Sequence, residues 1–449
     1  MTRSQTNSRT FLILIFTQVF SLVGSRMTGF ALGIWIYTQT GDATPIALVA
    51  FFRYLPYFLS AGVAGALADR WDRRYVMAVG DAGQAAGTVL LLISFASGEF
   101  QIWHLYGVTV LQAIFDMLQG PAFSASITLL IADKHRDRAN AMRLMTTPAA
   151  NVAAPAIAGA LYGLIDVSGI ILIDLLTFVV AFVVVLTLRI PRPEATAEGK
   201  ALTGSLWTQS LDGFRFVWAR RPLFYLFTFT GLTNFFYGGA IALFTPYNLA
   251  RTGSETTAGI ILSAYSLGAL TGGLLVSITG GLRPRVRMVM PGLGMTGLML
   301  AIYGTSDVPL LMALACFFMA MFPPMSNTAI ITILQIKVPP DLQGRVFAAI
   351  SQISALLLPL AYLIVGPLAD EVFEPAVAQA GWEQVGGLVG EGAGSGMGLI
   401  MVISGLIVFG VSVLYYAQPV IRRMETSLPD YEPVVSTPEP TPETALAAD

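Results

Sequence analysis

Long apolar runs and short polar breaks alternate along the whole chain. Apolar stretches near 11–37, 45–68, 75–97, 102–131, 141–165 and 168–188 are followed by six more near 222–249, 256–279, 288–305, 308–335, 344–368 and 397–417. A helix needs about 20 such residues to cross a bilayer, and only helices or closed barrels satisfy their backbone there. The pattern predicts an all-α membrane protein with twelve transmembrane helices. Its thinnest boundary is the fifth, where only "IDVSG" separates two runs.

The longest break, 189–221, divides the chain into an N-terminal six-helix bundle (1–188) and a C-terminal one (222–417). Its start is rich in Pro and Ala and reads as a linker. Its second part, with Trp207, Leu211, Phe214, Phe216 and Trp218, reads as an interfacial amphipathic helix on the cytoplasmic side. The bundles share a trace of repetition that makes them pseudo-symmetric. "ANAMRLMTTPAANVAAP" reaches Pro155 fifteen residues after Asn140, and "GRVFAAISQISALLLP" reaches Pro359 fifteen after Gly344. The remaining tail, 418–449, is acidic and proline-rich and is expected to be disordered in the cytoplasm.

Charge orients the spans. With both termini on the cytoplasmic side of an inner membrane, all but three of the 25 Lys and Arg residues lie at the inner face. The exceptions are Arg251 in an outer loop and Arg26 and Arg53 within spans. The outer loops "TQTGDAT", "SGEFQ" and "TSDVP" contain no basic residue.

Composition narrows the function. A chain of 449 residues that is 55% hydrophobic and 12% charged has too few polar groups to coat a soluble surface. One cysteine, Cys316, permits no intrachain disulfide, and two histidines, His104 and His135, make no usual metal site. No G-x-x-x-x-G-K-[ST] loop is present, so ATP drive is disfavoured, and "GEGAGSG" follows no strand. No nucleophile–base pair lies at membrane depth, so no catalytic residue, metal site, cofactor or nucleic-acid partner is expected.

Between the second and third spans stands Gly65-x-Leu67-Ala68-Asp69-Arg70-x-x-Arg73-Arg74. This run resembles the cytoplasmic signature of the major facilitator superfamily of secondary transporters. The resemblance implies that Gly65 lets span two approach span eleven. It also implies that Asp69 faces the helix N-terminus near Leu342–Arg345, while Arg70, Arg73 and Arg74 anchor the gating loop. Asp72 occupies a position where the family usually has glycine. "VPPDLQGRVFA", "PAFSASITLLI" and "GFRFVWARRPL" are similar to the macrolide-efflux-type branch. That likeness implies a monomeric secondary active transporter among membrane lipids. Its expected activity is proton-coupled efflux of small amphipathic compounds by alternating access, energised by the proton gradient. Lipid, siderophore or metabolite export, or substrate sensing without transport, would suit the same fold.

Charges inside the membrane are the candidate chemistry, since each costs about 2.5–3.5 kcal/mol to insert. Arg26 on span one and Asp116 on span four both fall near the midplane, and each belongs to a polar stripe. Gln18, Ser25, Gly29 and Gly33 accompany the first; Thr109, Gln112, Gln119 and Phe123 accompany the second. An Arg26–Asp116 pair would be favourable, and Asp116 is the candidate for the coupling proton. Asp116-x-x-Gln119-Gly120 also resembles the family's span-four exporter signature, whose first position is normally arginine. The resemblance implies that spans seven and ten also line the cavity, and the candidates there are Asn234 and Tyr237 on span seven and Phe322 and Asn327 on span ten. Arg53 and Asp174 are expected in the outer half as packing or snorkelling groups, and Asp81 as an anchor near the signature loop.

Overall fold

The structure, a computed structural model, describes residues 8–59, 73–131, 136–188, 215, 218–281, 283–338, 346 and 357–427. Described helices fall on all twelve apolar runs, and no strand occurs among these residues. In the first half, α1 is Ser8–Thr40, α2 Thr44–Leu59, α3 Arg73–Ala96 and α4 Ile102–Leu130. The fifth and sixth runs share one helical stretch, α5, Arg136–Thr187. It breaks at Asp166, which sits at φ 57° and ψ 179° and accepts the Val167 N–H at 2.7 Å. Positive φ with ψ near 180° is backbone that glycine adopts and other residues rarely do. The weak "IDVSG" boundary is therefore a kink that divides α5 into limbs of residues 136–165 and 167–187.

In the second half, α6 (Arg221–Ala242) bends by 43° into α7 (Phe244–Thr252). Then follow α8 (Glu255–Thr279), α9 (Val286–Gly304) and α10 (Pro309–Lys337). Residues 357–367 form α11, which widens into a π turn at Leu368–Phe373, and α12 is Ser395–Ala417. Among the described residues seven helices are long and apolar enough to cross a membrane, and the bent α6–α7 pair makes an eighth.

Within the first half α1 packs along α5, and α3 lies against α4 and α5; within the second, α9 lies between α10 and α12, with α8 on α10. Small residues allow these approaches, as lipid-embedded packing requires. A Cβ added at Gly268 or Gly272 of α8 would collide with the carbonyls of Phe317 and Met321 on α10.

The halves meet chiefly through α5 and α8. A Cβ at Gly159 would stand 2.6 Å from the Glu255 carbonyl, and one at Gly259 would strike that of Pro155. Thr256 Oγ1 donates to the Gly159 carbonyl at 3.0 Å. These contacts lie at the end of the molecule that carries loop 41–43.

The C-terminal tail needs one correction. Its first ten residues, expected to be disordered, form helical turns at Pro419–Arg422 and Met424–Ser427. Ile421 and Met424 are buried against α9 and α10, and Glu425 accepts the Val286 N–H at 2.9 Å while lying 3.6 Å from Arg285. A carboxylate at the start of α9 satisfies amides that the helix leaves open. Residues 428–449 and most of the 189–221 connection lie outside the described residues.

Candidate functional site

A cavity of about 570 Å³ opens inside the first half. It runs from Ile36 and Ile46, near the end that carries loop 41–43, to Arg143 and Thr147 on the first limb of α5. Its volume suits a drug-sized molecule, and apolar walls with a few polar groups are what such sites use. Arg26, Gln112, Asp116 and Gln119 all line it, from α1 and α4, as their stripes predict. Arg53 and Asp174 line it too, where the sequence pattern placed packing groups.

The pairing inside differs from expectation. Asp116 lies 3.7 Å from Arg53, not beside Arg26, and its Oδ2 accepts the Tyr57 hydroxyl at 2.7 Å. Arg53 and Tyr57 are one turn apart on α2, so a single helix face presents both to the carboxylate. Arg53 is therefore a cavity residue with a counter-ion rather than a snorkelling one. Arg26 reaches the same cavity from α1, but among the described residues its buried Nε has no hydrogen-bond partner and no carboxylate is within ion-pairing distance.

Behind this trio runs a buried polar chain. Gln119 Nε2 donates to Asp81 Oδ1 at 2.5 Å and lies 3.2 Å from Gln18 Oε1. Gln84 donates to Gln119 Oε1 at 2.7 Å, and Gln112 donates to Thr88 Oγ1 at 3.2 Å. Thr88 then stands 3.4 Å from Asp174 Oδ2, and Ser25 is 3.1 Å from Oδ1. Asp81 and Asp174 are each 1% exposed, and neither has a cation within ion-pairing distance among the described residues. Asp81 thus fastens α3 to α4.

Hydrogen counting shows what Asp174 can accommodate. Ser25 Oγ is equally close to the Ser21 carbonyl, at 3.1 Å, and Thr88 Oγ1 lies 3.2 Å from that of Gln84. Each hydroxyl owns one proton. Turned inward, the two hydroxyls serve a charged carboxylate; turned to their carbonyls, one of them can accept a proton from a neutral acid. The same geometry holds Asp174 in either protonation state.

The sequence profile of the Major Facilitator Superfamily matches residues 14–361, more than three-quarters of the chain and every element of this cavity. The chain belongs to the major facilitator superfamily. It is a multi-pass membrane transporter rather than an enzyme. Macrolide efflux protein A of Streptococcus pyogenes is 25% identical over 359 residues, 79% of this chain and 88% of that protein. Multidrug efflux pump Tap of Mycolicibacterium fortuitum is 22% identical over 372 residues, covering 80% and 89%. Among solved structures, a bacterial homologue of the lysosomal transporter Spinster, inward-facing and unoccupied, superposes with a TM-score of 0.73. It is 16% identical and covers 96% of this chain and 99% of its own.

Of the transporter's signature run, Gly65, Asp69 and Arg70 lie outside the described residues, and Arg73 begins α3. Arg74 Nε donates to the Val185 carbonyl at 3.3 Å, tying α3 to the end of α5. In the second half none of Asn234, Tyr237, Phe322 or Asn327 lines the cavity. Tyr237 is buried instead and shares a 3.0 Å hydroxyl contact with Tyr265.

The opposite end is latched across the halves. Asp370, from the π turn after α11, accepts the N–H groups of Ala43 at 2.9 Å and Thr44 at 2.7 Å, where α2 begins. Glu374, one turn on, accepts those of Gly394 at 3.2 Å and Met397 at 2.8 Å at the start of α12. Burial pushes the Asp42 carboxyl above its ordinary range, and Asp370 beside it adds to the push. Burial likewise raises Glu374, against the pull of the two amides it caps.

Sequence reasoning missed Asp370, Gln84 and Thr88. The last two were within reach: Asp81, Gln84 and Thr88 form a polar stripe on α3 that matches the stripe on α4.

Proposed function

We propose that this transporter is a proton-coupled exporter of small amphipathic compounds, working by alternating access in an inner membrane with both termini cytoplasmic. The observation that carries the reading is Asp174, a carboxyl buried in the cavity wall among neutral donors, with hydroxyls arranged for both of its protonation states. Burying a charge without a counter-ion is costly, and taking up a proton removes that cost. A proton site so close to the cargo cavity can exchange occupancy with cargo, as antiport requires. Asp116, by contrast, already has Arg53 and Tyr57 as partners. The export direction is supported by the names of the efflux relatives. One proton crossing about 100 mV supplies about 2.3 kcal/mol, enough for a roughly 50-fold gradient.

The test is uptake into inverted vesicles of a compound panel that includes a macrolide, with and without an uncoupler. Uptake should require the proton gradient and collapse with the uncoupler. Asp174→Asn should leave folded protein that still binds cargo, while proton release on binding disappears; Asp116→Asn should retain it. Gradient-independent uptake would reject coupling, and equal proton release from wild type and Asp174→Asn would move the site elsewhere.

A further inference from the structure

The cavity holds one charge, on Arg26, that no described carboxylate pairs with. Arg26, Arg53 and Arg143 line it together with Asp116 and Asp174. Asp116 is taken by Arg53 and Tyr57, and Asp174 by Ser25 and Thr88. Arg26 is left with a buried Nε that has no acceptor and a guanidinium facing the cavity. Beside it the wall is bare: a Cβ at Gly29 or Gly120 would meet nothing within 4 Å. A charge at this depth is retained only where something compensates it. Here the compensating anion has room to come from outside the protein.

Resting on the reading that this cavity carries amphipathic cargo, we propose that Arg26 is the head-group site for an organic anion, a carboxylate or sulfonate on an apolar body. A guanidinium offers a planar fork of donors that matches such groups with paired hydrogen bonds. The apolar body has Leu22, Leu32, Val49 and Phe178 to lie against. Asp116, held by its own partners, stays out of the way of the incoming anion. A cationic amphiphile meets the reverse situation, with an uncompensated arginine opposing it and both lining carboxyls already engaged.

The experiment is equilibrium binding to the full chain in lipid nanodiscs, using three probes that share one fluorophore: dansylglycine (anionic), dansylamide (neutral) and dansylethylenediamine (cationic). Dansylglycine should bind the wild type about tenfold more tightly than the cationic probe, the scale of one charge-assisted hydrogen-bonded pair. Arg26→Gln should weaken dansylglycine about tenfold and leave dansylamide unchanged, and Arg26→Lys should restore part of the loss. The wild-type comparison needs no variant, so a misfolded substitution cannot rescue the idea. Equal or tighter binding of the cation, no binding of the anion, or dansylglycine binding indifferent to Arg26→Gln overturns it. Proton movement is recorded on the same preparations. Coupled export with a cation preference overturns the anion site alone; selective anion binding without proton movement overturns the coupling alone.

Discussion

Asp370 takes the backbone N–H of Thr44 at 2.7 Å, so a carboxylate from the end of α11 in one half sits on the first turn of α2 in the other. Its second oxygen holds Ala43. A charge at a helix N-terminus satisfies open amides and the helix dipole together, worth about 1 kcal/mol and up to ~2 when partly buried. Because the contact spans the halves, that energy belongs to one conformation. Asp370→Ala should raise the population open at this end by roughly 5- to 30-fold, given that energy range. Cys316 is buried and is the chain's sole cysteine, so Cys316→Ala with Val49→Cys gives a clean reporter. Labelling from that side by an impermeant maleimide should accelerate; an unchanged rate removes the latch.

Glycines on α8 should behave differently according to what they face. Gly259→Ala sets a methyl against the Pro155 carbonyl of the opposite half, which can yield by opening. Gly268→Ala sets one against Phe317 of the same half, which cannot. The first should speed labelling of the same reporter with little loss of thermal stability; the second should lower stability and leave labelling alone. Matching behaviour in both assays would refute the distinction.

Arg53 and Asp116 should couple, and modestly. Their side chains are 43% and 38% exposed to the cavity, so solvent screens the pair. A double-mutant cycle with Arg53→Gln and Asp116→Asn should return about 0.2–1 kcal/mol in thermal unfolding. The same cycle with Arg26→Gln and Asp116→Asn should return less. A larger coupling to Arg26 would restore the pairing that the sequence stripes favour.

Acid should strengthen the latched end. The raised carboxyls of Asp42 and Glu374 mean that the folded protein holds these protons more tightly than the unfolded chain does. Their contribution to stability is complete below the ordinary carboxylate range and is lost as pH climbs through the raised values. Melting temperature should fall over that window, and the Asp42→Asn, Glu374→Gln double variant should flatten the slope. A slope that survives both substitutions assigns it to other groups.

The helices were legible because apolar length alone specifies them, and the midplane stripes on α1 and α4 contain Arg26, Gln112, Asp116 and Gln119, which line one cavity. Pairing was not legible. Whether Asp116 meets Arg26 or Arg53 depends on how far α2 is rotated, and apolar residues surround that helix in sequence. Asp370 was invisible for a different reason: its partners are backbone amides 326 and 327 residues away, which leave no mark in side-chain pattern. The candidates of α6 and α10 rested on the family resemblance, which has spans seven and ten line the cavity. Tyr237 went instead to a core with Tyr265, since a large aromatic at a half-polar face packs wherever a neighbour can take its hydroxyl.

Every described residue that lines the cavity belongs to α1–α5, while α6–α12 supply the latch and the packing that hold the closed end. On the proposed reading, recognition and closure are divided between the two halves of the chain. Variation that retunes cargo can accumulate in the first half without altering the latch carboxylate, Asp370, of the second. Recombination between relatives at the 189–221 connection then becomes a route to new specificity in one step, provided the incoming first half keeps what the second half meets, among it the amides of Ala43 and Thr44, the glycine at 159 and the Pro155 carbonyl.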